Sequence, residues 1–244
     1  MTWVLLALAG VWAGIQNAVA GGGSFITLPA LIFTGLDARV ANITSTVALS
    51  VGQVTTGWGG RKAVEGVPGL PVWVMLAIAI AGGLVGAQLI LITPTKVFAD
   101  MVPWLILAAT ALFAWGSFGP KPKEPRAPIA PAVSGIGLFV SAIYGGYFGG
   151  GNGIILVTVL SAAGLAIRAA SATKNVLAAI INVAALGLFL FSPEVDWLKA
   201  LVLGAGAMLG GAIGNVVLAR INERLLRIVI VLIGVALSIV LFMR

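Results

Sequence analysis

The chain has 244 residues, of which 60% are hydrophobic and only 9% charged, with a net charge of +7 and neither Cys nor His. That is too little polar surface to cover a water-soluble globule, and the missing residues exclude disulfides, thiol chemistry, the usual metal ligands and the usual proton shuttle. The positive charge does not point to nucleic acid, because Lys and Arg gather at the ends of apolar runs, as the cytoplasmic loops of a membrane protein require.

The first apolar run, about 3–20, ends in Ala18-Val19-Ala20, which is like a signal-peptidase site. It has no preceding Lys or Arg and is echoed later in the chain, so it is read as retained. Gly21-Gly22-Gly23 then opens a short apolar piece, 24–34, that contains Pro29. Three adjacent glycines inside apolar sequence predict a helix interrupted within the membrane, whose freed backbone groups need a partner other than lipid; a ligand is one such partner. Runs at 38–60, 70–92 and 97–118 are long enough to span. From Gly119 to Pro128 the chain is rich in proline and charge, which predicts an aqueous linker over 119–129 between a first repeat, 1–118, and a second, 130–244. The second half runs 130–148, breaks at Gly149-Gly150-Gly151-Asn152-Gly153, and continues as 153–163, 168–191, 197–219 and 224–243. The pieces 24–34 and 153–163 cover only about half of a ~30 Å hydrocarbon core at about 1.5 Å per residue, so they are predicted half-helices.

A shift of 129 residues superposes the halves. Gly21, Gly22, Ile26, Leu31, Gly35, Leu36, Arg39, Ala41, Thr44 and Val47 fall on identical residues from Gly150 to Val176. These are ten identities in 27 ungapped positions, where a composition this biased gives about two or three by chance, and they predict an internal repeat. Gly82 to Gly86 fall on Gly210 to Gly214 at a shift of 128, and their small-residue spacing suits close helix crossing, a scaffold role.

Charge counting orients the chain. If each glycine cluster is the tip of a hairpin entering and leaving on one side, one face carries Arg61, Lys62, Lys121, Lys123, Arg126, Arg168, Arg220, Arg224 and Arg227, against Arg39, Lys96, Lys199 and Arg244. If the short pieces are loops instead, the count becomes six against seven and discriminates nothing. The hairpin arrangement is therefore expected: an all-α polytopic membrane protein of two inverted repeats, each a glycine-broken re-entrant hairpin plus three transmembrane helices. The linker is then cytoplasmic, both termini lie outside, and the hairpin tips meet near the midplane.

Half-helices starting at 24 and 153 would aim N–H groups and positive dipole ends at an anion between the tips, contributed by Gly21, Gly22, Gly23, Ser24, Gly150, Gly151, Asn152 and Gly153. The bland alternative is that these glycines only permit close packing. Lys174 lies six residues beyond Arg168, roughly 9 Å along a helix. A lysine at membrane depth costs about 2.5–3.5 kcal/mol, so it either faces an anion or snorkels to the surface. Thr44 and Ser45 align with Thr173 and Lys174, Asn42 and Thr46 with Ser171 and Asn175, and Gln53 with Asn182. Such side chains donate to oxyanions or bond between helices. Tyr144 and Tyr147 flank the second break, either closing over a substrate or packing, and Arg39 and Arg168 read as interfacial anchors. No Asp or Glu stands at mid-membrane depth, so a carboxylate proton relay is not expected.

The break Gly21-Gly22-Gly23 with Pro29 and Gly35, repeated as Tyr144-Gly145-Gly146-Tyr147-Phe148-Gly149-Gly150-Gly151-Asn152-Gly153 with Gly164, resembles the sulfite exporter TauE/SafE family of bacterial permeases over the whole chain. Thr158 stands in the second repeat where the first has Pro29. The resemblance implies export of sulfite and sulfonates such as sulfoacetate through the inner membrane. The expected partners are a small anion and the bilayer, with no nucleic acid, no metal and no cofactor; no oligomeric state is read. An importer or channel for another small anion and a non-transporting membrane scaffold are the rivals. An enzyme is not expected, since no nucleophile and base converge on a motif.

Overall fold

The computed structural model describes residues 2–19, 21–119, 128–218 and 223–243. The linker charges Lys121, Lys123, Glu124 and Arg126, the loop residue Arg220 and the terminal Arg244 lie outside them. Ten α-helices form among the described residues: α1 (Thr2–Val19), α2 (Ser24–Phe33), α3 (Ala38–Gly60), α4 (Val72–Ile92), α5 (Thr95–Phe118), α6 (Pro131–Tyr147), α7 (Asn152–Ala162), α8 (Ile167–Phe189), α9 (Trp197–Leu218) and α10 (Glu223–Phe242).

The repeated identities explain the helix ends. Gly35 and Gly164 have φ of 92° and 105°, which a residue with a side chain rarely adopts. There the Leu36 N–H donates to the Leu31 carbonyl and the Leu165 N–H to the Leu160 carbonyl, so α2 and α7 close with the same left-handed turn. The next helix starts differently in each half: the Asp37 carboxylate accepts from the N–H groups of Arg39 and Val40 to cap α3, whereas Ala166 caps α8 without a side-chain bond.

α4, α5, α8 and the Trp197–Gly214 stretch of α9 are long and apolar enough to cross a membrane. The sequence reading expects six such spans. The difference lies in α3, which has the length but carries Asn42, Thr44, Ser45, Thr46, Ser50 and Gln53, and in α10, whose apolar part is Arg227–Phe242. α2 and α7 have ten and eleven residues, short of a span.

Packing follows the repeat. α1 lies against α9 as α6 lies against α4; α3 meets α9 as α8 meets α4; α10 touches α2 as α5 touches α7; and α3 pairs with α8 and α5 with α10. Exchanging the halves leaves this pattern unchanged, so each half lends its fourth helix to the first helix of the other. Glycines make the crossings close. A methyl on Gly86 would lie 2.7 Å from the Tyr147 nitrogen, and one on Gly210 would lie 2.8 Å from the Val11 carbonyl carbon. Backbone cannot retract as a side chain can. Gly86→Val and Gly210→Val are therefore expected to cost about 1–3 kcal/mol by overpacking. Gly187→Val, with open space around its new methyls, should be near neutral. Thermal melts of the purified variants check this, and equal losses at all three positions would contradict it.

Candidate functional site

At the first break Gly21 and Gly22 have φ of 76° and 87°, reversing the chain between α1 and α2. Part of the freed backbone is satisfied within the protein. Gln16 Nε2 donates to the Gly22 carbonyl at 2.8 Å, and Asn17 Oδ1 accepts from the Gly23 N–H at 2.8 Å. At the second break Gly149 and Gly151 have φ of 76° and 73°, and the Tyr144 hydroxyl donates to the Gly150 carbonyl at 2.6 Å. Polar side chains on α1 and α6 thus satisfy much of what the broken helices expose.

The two tips meet. A methyl on Gly21 would lie 3.0 Å from Gly153 Cα, so the starts of α2 and α7 sit side by side. Beside them α3 and α8 cross antiparallel: Ser50 Oγ donates to the Asn182 carbonyl at 3.2 Å, while Gly57 lies against Asn175, Val176 and Ala179. The repeat-related pair Gln53 and Asn182 bond to each other at 2.8 Å.

Between tips and crossing lies a narrow polar cleft of about 30 Å³. At about 10–15 Å³ per water position, that holds two or three waters or a compact anionic head of similar size. Gly21, Gly22 and Ser24 line it from the first break, Gly149, Asn152 and Gly153 from the second. α1 contributes Asn17, α3 contributes Thr46, Gln53 and Thr56, and α8 contributes Lys174, Asn175 and Asn182. Lys174 is 2% exposed, so it does not snorkel. No described residue gives its ammonium a hydrogen bond or an ion pair. The carbonyl oxygen of the Asn152 side chain is also buried and unpartnered. No carboxylate lines the cleft.

Of the residues picked out from sequence, Gly21, Gly22, Ser24, Thr46, Gln53, Gly149, Asn152, Gly153, Lys174, Asn175 and Asn182 border this space. The others face elsewhere. Gly23 is held by Asn17, Ser45 Oγ bonds Thr27 Oγ1 at 2.5 Å, and the Gly150 carbonyl is taken by Tyr144. Gly151 packs on Ala109, and the Tyr147 ring stacks edge-on against Phe98 with its hydroxyl toward Thr93. Thr44 and Thr173 seat loops at opposite ends of the bundle: Thr44 Oγ1 accepts from the Asp196 N–H, Thr173 Oγ1 from the Glu65 N–H, each at 3.1 Å. Asn17 and Thr56 escaped the sequence reading. The polar pair Gln16-Asn17, closing an otherwise apolar helix, was the available signal for the first; Thr56 had none.

Beyond the cleft, Arg39 and Glu194 form an ion pair, and Lys199 pairs with Asp196 at 2.9 Å. Burial raises the Asp196 carboxyl, but hydrogen bonds from the Lys199 side chain and backbone outweigh it and hold it below the usual carboxylate range.

Residues 6–241 match the sulfite exporter TauE/SafE family. The chain is 30% identical to a probable membrane transporter protein, ORF9, of Sinorhizobium sp, over 96% of this chain and 90% of that one. It is 29% identical to a probable membrane transporter protein of Haemophilus influenzae over 93% and 89%, and 25% identical to the probable membrane transporter protein YfcA of Escherichia coli K12 over 93% and 84%.

Proposed function

We propose that this chain, which belongs to the sulfite exporter TauE/SafE family and is a multi-pass membrane transporter, exports small sulfur-containing anions, sulfite and sulfonates such as sulfoacetate, through the inner membrane. The observation that carries the anion assignment is Lys174, a buried ammonium without a partner, facing a cleft that the starts of two half-helices also border. An unpaired buried charge is costly, and an anion that neutralises it in transit recovers that cost. Helix N-termini and the amide and hydroxyl donors of Asn17, Ser24, Asn152, Asn175 and Asn182 complete a set suited to several acceptor oxygens.

The transport cycle is alternating access between two inverted repeats, 1–118 and 130–244, joined by a cytoplasmic linker over 119–129. The antiparallel crossing of the repeat-related helices α3 and α8, and the meeting of the two tips, support this topology. An inside-negative potential drives the exit of an anion by about 2.3 kcal/mol per elementary charge per 100 mV, without a coupled ion.

Counterflow in proteoliposomes tests the reading. Sulfite or sulfoacetate should exchange and should raise the melting temperature of the purified protein, while acetate and malonate, their carboxylate analogues, should do neither. Equal exchange of the carboxylates would reject sulfur specificity. No response to any anion would favour the scaffold.

A further inference from the structure

The repeat shift that pairs Arg39 with Arg168 also pairs Glu65 with Glu194. At one end of the bundle members of both halves join: Arg39, on the first turn of α3, holds Glu194 in an ion pair and donates to the Thr93 carbonyl at 2.5 Å. That links α3, the corner between α4 and α5, and the loop before α9. Five residues along α3, Thr44 seats the same loop through the Asp196 N–H. At the opposite end Thr173, five residues after Arg168 on α8, seats the loop that carries Glu65. There the pairing stops. Arg168 and Glu65 are both exposed and form no ion pair. Interfacial anchoring explains an exposed arginine at either end, but it does not explain why Arg39 is drawn inward, to 11% exposure, against a carboxylate from the other half.

We propose that Arg39–Glu194 and Arg168–Glu65 are reciprocal gate pairs, one closed while the other is open, and that each transport cycle exchanges them. The inference rests on the transporter reading of the fold, not on the identity of the anion. The cleft agrees with the present state: along α3 its lining reaches Thr56, four residues from the helix end at Gly60, on the side where the pair is open. Each end state has one pair formed and one solvated, so the two differ little in free energy and neither traps the protein. A half-buried ion pair is expensive to leave partly broken, which makes the switch between states discrete. Prolines at 68 and 71 stop α4 from beginning as early as α9, so the exchange concerns the side-chain pairs and not the helix starts.

The chain has no cysteine, so introduced thiols report cleanly. With a single reporter S24C in the cleft, a membrane-impermeant maleimide is applied to one face of the membrane at a time. E194Q should raise labelling from the Arg39 end at least threefold and lower it from the other, and E65Q should shift the balance the opposite way. In a separate variant, E65C/R168C should form a disulfide under mild oxidation, and the oxidised protein should not transport. The charge-swapped R39E/E194R should restore wild-type labelling where R39E alone does not, which separates a gate from misfolding. Labelling unchanged by either glutamine variant, or no E65C/R168C disulfide beyond a non-equivalent R168C/E223C control, overturns the proposal. The labelling and cross-linking readouts need no transported ion, so their failure leaves the anion assignment standing, and failed sulfite exchange leaves the gate standing.

Discussion

Lys174→Met should cut anion transport sharply while raising the melting temperature of the purified protein. The opposite signs follow from one feature: Lys174 is 2% exposed, and its ammonium has no hydrogen-bond or ion-pair partner among the described residues. Its hydrogen bond to an anion would be charge-assisted, worth about 1.5–3 kcal/mol, so its loss predicts a fall in flux of about tenfold to a hundredfold. Replacing an uncompensated buried charge with an apolar chain of similar length removes a desolvation cost and is expected to stabilise by about 1–3 kcal/mol. Lys174→Arg should not rescue transport, since the planar guanidinium is bulkier than a cleft of about 30 Å³ admits beside a substrate. Flux in proteoliposomes and thermal melts of the same preparations decide it. Retained flux would remove Lys174 from the site; flux and stability falling together would make it structural.

Gly21→Ala is the second large effect. The residue has φ of 76°, where a side chain costs about 1–2 kcal/mol, and its new methyl would press on Gly153 Cα at 3.0 Å. Both strains act where the half-helices meet, so transport should fall at least about tenfold, with a loss of stability of about 2 kcal/mol. Gly35→Ala is the matched comparison. Its φ is 92°, but no atom lies within 4 Å of the added methyl, so it should show the backbone strain alone and keep its flux. If the two variants transport equally, the contact between tips has no part in the cycle.

Much of the secondary structure was legible because its signals are local. The predicted half-helices at 24–34 and 153–163 are Ser24–Phe33 and Asn152–Ala162, and the run at 38–60 is α3 to the residue. Apolar length marked each helix, and glycine marked the stops of the two half-helices. The site was legible only in part. The glycine breaks and Lys174 announced themselves, since three adjacent glycines and a buried cation are anomalies in apolar sequence. Thr44 and Thr173 did not reveal that they seat loops, and nothing in the sequence distinguished them from Thr46, which does face the cleft. Two positions along a helix turn the side chain by roughly 200°, so a cluster of polar residues points several ways at once.

From sequence alone came the membrane class, the places where helices break, and the repeat. Each depends on quantities a short segment carries by itself: hydropathy, the φ range open to glycine, and the identity of residues 129 apart. Tertiary structure alone decided that α4 packs on α6 and α9 on α1, and that Gln16, Asn17 and Tyr144 take the freed carbonyls and N–H groups at the breaks. It also decided that Gln53 and Asn182 meet beside the cleft. Those outcomes turn on which face each helix shows its neighbours. Helices of nearly uniform hydrophobicity encode that choice weakly in their own sequence, so close glycine crossings between the halves settle it.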